Sequence, residues 1–256
     1  NSPDATLLQS DSGEGLAEKE ADSTSYPASM TKMMTALLAI EANPDLDTPV
    51  TLPEEIFPAL QAQNASLAGF QPGETATVRD LLYGAMLPSG AECCEALARE
   101  VSGSEEAFAA RMNQKAAELG MTGTHFCNPT GLHDPEHVST VRDMARLTEA
   151  ALQNETFRKL FTTERYTVPA TNCHPQGFTM HSTLLSQLDG TELHRGRILG
   201  GKTGYTGEAG LCLASLAEVK GREYILVTAG AGGDHSTAPY HIEDAVTVYR
   251  RVSRGS

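Results

Sequence analysis

Read for the spacing of its apolar positions, the chain changes period twice. Near the start, "ATLLQSDSGEGLAEKE" alternates on either side of Ser12, Gly13 and Gly15, which predicts strand, glycine turn, strand. From about Ala28 to Ala42 the apolar residues run almost without break, as in a buried helix, and Asn43 and Pro44 stop it. The middle of the chain holds a 3.6-residue period through "TVRDLLYGAMLPSG", "AECCEALAREVSG", "SEEAFAARMNQKAAELG" and "STVRDMARLTEAALQN", with polar starts and Gly or Asn stops. From Arg197 strands return as "RILGGKTGYTG", "LCLASLAEV" and "EYILVTAGA", parted by glycine-containing turns, and "HIEDAVTVYRRV" closes the chain as a helix.

Strands at both ends with helices between them predict an α/β fold of the α+β kind. One antiparallel sheet forms from about 1–27 and 195–256, flanked by helices, and an all-helical lobe from about 28–194 is inserted into it. The 256 residues, 40% of them apolar, suit one domain with a sizeable core, and no repeat or low-complexity linker divides it. No apolar run approaches the roughly 20 residues of a bilayer span; the longest surround Leu37 and Leu226. No charged-then-apolar leader precedes Asn1, so any signal peptide is expected to have been removed.

Charge narrows the partners. Nineteen basic against thirty-three acidic side chains give a formal charge of −14, which opposes phosphate backbones and anionic lipid and excludes nucleic acid as the expected partner. The five cysteines, Cys93, Cys94, Cys127, Cys173 and Cys212, include no C-x-x-C pair and are read as buried free thiols, with Cys93 and Cys94 as small core residues. His133 and His137 have a spacing that suits a metal on a helix, but Pro135 lies between them and no third ligand follows, so no metal or other cofactor is expected.

Candidate chemistry enters at "YPASMTKMMT". Ser29 and Lys32 stand three apart at a helix head, where they can share a face and where the helix N-terminus favours developing negative charge. Ser is also a preferred N-cap, and a Ser-x-x-Lys pattern arises about once by chance in a chain of this size. Two further pieces change the weighting: Ser89-Gly90-Ala91 between two helices and Lys202-Thr203-Gly204 on a strand. Together they match the S-x-x-K, S-D-N and K-T-G triplet of penicillin-recognising serine enzymes.

With "PGETATVRDLLYGAMLPSG", "FAARMNQKAAELGMTGTHFCNPTGLHDPEHVSTVRDMARL" and "GGKTGYTGEAGLCLASLAE" in the same order, nearly the whole chain resembles the serine-type D-alanyl-D-alanine carboxypeptidases, the low-molecular-mass penicillin-binding proteins. The resemblance implies a β-lactamase/transpeptidase-like fold, an extracytoplasmic location, and removal of the terminal D-alanine from peptidoglycan stem peptides, with β-lactams as inhibitors. It makes Ser29 the acylated nucleophile, Lys32 its base and Ser89 a proton relay. Lys202 and Thr203 would meet the substrate carboxylate, Gly204 would let substrate lie along the strand edge, and the N–H groups of Ser29 and Tyr205 would form the oxyanion hole. A lysine acts as base near neutral pH only when burial or a neighbouring cation lowers its pKa, and Lys202 is a candidate for that cation.

The chain departs from the family pattern at Ala91, where Asn is usual, which removes one donor and one acceptor from the substrate site. His181, in "TMHSTLL", is a candidate carboxylate contact beside a structural reading. Many relatives add a β-rich domain and an amphipathic anchor beyond the point where this sequence stops. Two rival functions remain: a weakly catalytic or non-catalytic peptidoglycan or β-lactam binder, motivated by Ala91, and a β-lactamase, disfavoured because no E-x-x-L-N-type segment is present.

Overall fold

The structure, a computed structural model, describes residues 1–188 and 193–255. Its centre is a five-stranded antiparallel sheet drawn from both ends of the chain. The strands are β1 (Asp4–Gln9), β2 (Gly15–Lys19), β7 (Gly196–Thr206), β8 (Gly210–Val219) and β9 (Arg222–Ala231), in the order β2-β1-β9-β8-β7. The chain ends meet because β1 pairs with β9, Leu7 opposite Leu226. That leaves β7 as a free edge, and β2, exposed along its whole length, as the other.

Between β2 and β7 run a 3-10 turn (Ala28–Thr31), α1 (Lys32–Ala42), α2 (Ile56–Ala62), α3 (Val78–Met86), α4 (Ala91–Ser102), α5 (Glu105–Glu118), α6 (Val141–Leu152) and α7 (Glu155–Phe161). The inserted lobe also carries two short antiparallel pairs, β3 (Pro49–Thr51) with β4 (Thr75–Thr77) and β5 (Arg165–Val168) with β6 (Phe178–His181), so strand pairs join its helices. The final helix is α8 (Tyr240–Arg254). Helix starts follow local chemistry: Thr77, Ser104, Thr140 and Asn154 each accept a backbone N–H of the first turn, and Thr77 with Asp80 closes a full capping box.

Strand alternation splits the apolar residues between two cores. On one face Leu7, Leu213 and Leu226 pack against Ile242, Val246 and Tyr249 of α8. On the other, Leu8, Ala214, Leu216, Ile225 and Val227 join the core of the lobe, including the whole buried length of α1. Because α1 has no solvent face, "KMMTALLAIEA" needs no amphipathic stripe, and Met33 and Met34 are fully buried. No helix among the described residues is long and apolar enough to cross a membrane.

Candidate active site

The turn that holds the expected nucleophile lies where the free edge strand meets the lobe. The 3-10 turn carries Ser29, and since side chains three apart eclipse in such a turn, Ser29 Oγ stands directly beside Lys32. Lys32 Nζ lies 2.7 Å from Ser29 Oγ and 3.0 Å from Ser89 Oγ. The turn is bent into this position: Ala28 holds φ +48°, a left-handed conformation that a non-glycine residue adopts only under constraint. Gly131 supplies one constraint, because its backbone runs so close that a Cβ there would fall on the Ala28 carbonyl. A second is His137, fully inside the lobe. Its Nδ1 accepts the Cys127 N–H at 2.9 Å, which leaves Nε2–H to donate to Thr31 Oγ1 at 2.8 Å. Burial pushes the His137 ring down to about 4, so it is a neutral strut beneath the turn with both ring nitrogens engaged. No cluster suited to a metal ion occurs among the described residues.

Opposite the serine, the edge strand β7 brings Lys202, whose Nζ donates to Ser89 Oγ at 2.9 Å and to the Thr203 carbonyl at 2.8 Å. Ser89, at φ +67° in the tight link between α3 and α4, therefore bridges two buried lysines. Burial pushes both ammonium groups down, and repulsion between the two, were both protonated, adds to it at Lys202. Two like charges sharing one hydroxyl cannot both persist in a dry site. Lys202 has a carbonyl partner, which can only accept; Lys32 has hydroxyl partners, which can donate to a neutral amine. The arrangement thus favours a charged Lys202 and a neutral Lys32. Burial is the leading cause of the lowered Lys32 value, where the sequence pointed equally to a neighbouring cation.

Two chambers flank Ser29. One, of about 220 Å3, is lined by Ser89, Thr183, Thr203, by Asp234 and His235 of the loop after β9, and by His241 of α8; the other, of about 440 Å3, by Lys32, Ser66, Ala91, Leu132 and Tyr205. Ser29 and Tyr205 line both. Gly204 keeps the approach between them open, since a Cβ there would sit 3.0 Å from the Ser29 N atom. Thr183 Oγ1, 2.6 Å from Thr203 Oγ1, fixes the direction of that hydroxyl. Ala91, 1% exposed, opens α4 beside the larger chamber.

Of the residues singled out in the sequence, Ser29, Lys32, Ser89, Ala91, Lys202, Thr203, Gly204 and Tyr205 converge here. His181 does not. It is exposed at the end of β6, opposite Arg165, because strand alternation turns Met180 into the core and its neighbour outward. The cysteines are all free, but Cys173 is exposed and Cys127 half-buried, so only Cys93, Cys94 and Cys212 are core thiols.

Three contributors escape sequence reading. Glu92, fully buried, accepts the N–H groups of Ala68 and Gly69 at 2.6 and 3.0 Å and so pins the loop that carries Ser66 into the cleft. Burial raises its carboxyl pKa. His235, edge-on to Tyr205 at 4.8 Å, and His241, buried at the start of α8, reach the cleft from a segment with no motif of its own.

The chain is similar to known proteins in both sequence and fold. The sequence profile of the family described as D-alanyl-D-alanine carboxypeptidase matches residues 1–233. The carboxypeptidase DacF of Bacillus subtilis is 37% identical over 235 residues, covering 89% of this chain and 57% of that protein. A D-alanyl-D-alanine carboxypeptidase of Streptomyces sp. (strain K15) is 34% identical over 230 residues, 85% of this chain and 77% of its own length. The crystal structure of the Streptomyces K15 DD-transpeptidase superposes with a TM-score of 0.88 at 30% identity, covering 98% of this chain and 97% of that one. Against DacF, then, the present chain spans little more than half the length of its relative.

Proposed function

Since the chain belongs to the D-alanyl-D-alanine carboxypeptidase family, we propose that it is a serine peptidase that removes the terminal D-alanine of peptidoglycan stem peptides. The observation that carries this reading is the unbroken line of short contacts from Ser29 through Lys32 and Ser89 to Lys202. Neutral Lys32 takes the Ser29 proton as Oγ attacks the penultimate carbonyl carbon, and the new C–O bond forms a tetrahedral oxyanion. The N–H groups of Ser29 and Tyr205 receive that charge. As the C–N bond breaks, the proton passes from Lys32 through the Ser89 hydroxyl to the leaving amine. Water, deprotonated by Lys32, then hydrolyses the ester and restores Ser29.

Substrate would enter as an added strand on the free edge of β7, its backbone beside Gly204 and its leaving residue against Thr203 and Thr183. The positive charge of Lys202 lies one residue behind Thr203. With the Asn amide of relatives replaced by Ala91, the acyl side of the substrate is held by one side chain fewer, while the nucleophile and base are untouched. The polar chain between two buried lysines supports catalysis over a binding-only role. Penicillins would acylate the same serine, and a stem-peptide substrate would be met outside the cytoplasmic membrane.

The test is to incubate the protein with labelled penicillin and, separately, with a peptide ending in D-Ala-D-Ala, alongside Ser29→Ala. Stable label and Ser29-dependent D-alanine release are expected. Rapid penicillin turnover would indicate a β-lactamase, label without D-alanine release a binding module, and no label at all would remove the reading.

A further inference from the structure

Beside the larger chamber lies another cavity, of about 130 Å3, that the chemistry at Ser29 does not use. Gln63 and Leu132 line both, so the two spaces share a partition. One side of the cavity is apolar, formed by Ile56, Leu60 and Leu132. The other carries three carboxyls: Glu55 just before α2, Glu95 on α4 and Glu105 at the start of α5.

Acidic groups are common on a protein of charge −14, but Glu95 sets this cluster apart. It lines the cavity while only 6% exposed, and its Oε2 has no hydrogen-bond partner. Arg99, one turn further along α4, does not complete it. Its Nε stands 4.0 Å from Glu95 Oε2, too far for a hydrogen bond, and its Nη1 turns instead to Glu55 at 3.4 Å. Burial, and next the Glu105 carboxylate, push the Glu95 carboxyl up to about 7. A buried acceptor without a donor costs free energy that a donor placed in the cavity would recover. With one guanidinium against three carboxyls, the lining is also short of positive charge. Water could supply the donor, but neither the charge nor a cover for Ile56 and Leu60. No set of acids among the described residues is arranged to hold a metal ion. The group that fits both walls is a primary ammonium on an unbranched methylene stem, apolar along its length and charged at its tip.

We propose that this cavity is a subsite for a side-chain ammonium on the acyl part of the substrate, so that the protein prefers peptides in which the residue before D-Ala-D-Ala is a diamino acid with its side-chain amine free. The inference rests on the serine-peptidase reading above and adds to it a choice of acyl donor. The shared partition ties the cavity to the chemistry. Asn128, Thr130 and Leu132 belong to one loop, held by the Asn128 Nδ2 bond to the Leu132 carbonyl at 3.0 Å, and Gly131 of that loop packs on Ala28 beside Ser29. A side chain seated in the cavity therefore rests on the loop that braces the nucleophile turn.

Three peptides test this at one neutral pH. They differ only in the residue before D-Ala-D-Ala: lysine with a free ε-amine, ε-acetyl-lysine, or norleucine, each acetylated at the α-amine. Readouts are kcat/KM for D-alanine release and the intact mass of the Ser29 acyl-enzyme. The free lysine peptide is expected to exceed the other two about tenfold or more, through KM, as a charge-assisted contact would give. Glu95→Gln keeps the shape and removes the charge, and should bring the lysine-to-norleucine ratio to within about twofold of unity. Glu55→Gln, on the exposed rim where folding is not at stake, should lower that ratio about threefold. Added n-butylammonium should raise KM for the lysine peptide; if it raises the norleucine rate instead, the cavity serves a free amine and the substrate assignment is overturned. A native ratio below about threefold overturns the inference, as does an unchanged ratio in either variant. Equal acyl-enzyme formation from all three peptides removes only this inference; no Ser29 acyl-enzyme from any of them removes the peptidase reading beneath it.

Discussion

On one wall of the cleft Lys32, Ser89 and Lys202 are all but fully buried and joined by contacts of 2.9 and 3.0 Å. On the other, Asp234, His235 and Thr237 sit exposed on the loop between β9 and α8. The first wall is built from a helix head, a strained link and an edge strand, each held by the cores behind it. The difference divides the labour of the site. Bond-making chemistry demands groups fixed in a dry environment, where a lysine can be neutral. Choice of leaving group needs only a lining, and a surface loop can supply that without disturbing the core.

Lys32→Met should do the most to the buried wall. It removes the base while keeping the bulk, so acylation should fall about a thousandfold, read as the rate of Ser29 labelling. In the native protein the reactive form is the neutral amine, and burial lowers its pKa, so acylation should rise with pH through the folded value and then level. A pH-independent rate would break the contrast on the buried side.

A histidine under each wall allows a second comparison, in stability. His137 and His241 both have folded values near 4 against 6.5 unfolded. Between those values the unfolded state binds more protons, so stability is complete above pH 6.5 and falls as pH drops towards 4. Each contributes about 2 kcal/mol of loss between pH 7 and pH 5. Denaturant midpoints at the two pH values should show it, and His137→Gln should lose roughly half of the slope. Equal slopes in the variant and the native protein would refute the strut role of His137.

Glu92→Ala leaves the Ala68 and Gly69 N–H groups unpaired and frees the Ser66 loop, at about 1–3 kcal/mol. KM is expected to rise about tenfold with kcat nearly kept, and Glu92→Gln, whose carbonyl still accepts both bonds, should restore it. A fall in kcat instead of a rise in KM would place Glu92 within the chemical wall. The smallest effect belongs to Ala91→Asn. It returns one hydrogen-bonding side chain to the larger chamber and should lower KM for the peptide about fivefold, near 1 kcal/mol. No change, or a rise, would mean that the lining beside Leu132 has closed over the position.

The three motifs were legible because their residue types sit at local spacings: three apart in a turn, or consecutive on a strand. The principal elements were legible too, since α3 to α6 and β7 to β9 each carry their own period and their own stops. Short elements were not. α2 contains Pro58, α7 spans seven residues, and β3 to β6 are three or four residues each, too brief for a period to emerge. His181 misled because its place just before the strand region says nothing of which side of a strand a residue faces. Glu92 gave no signal, for its partners stand more than twenty positions away.

By itself, then, the sequence determined the family, the sheet with its inserted helices, and which residues are proposed as nucleophile, base and relay, all of them encoded in short-range patterns. Tertiary structure alone decided the burial of the two lysines and the hydroxyl they share, on which their charge states depend. It alone brought His241 and Asp234 to the leaving side, through a crossing from β9 to α8 that no local spacing records. Those contacts form only when distant segments close on one another, and their energetics belong to the cavity they enclose.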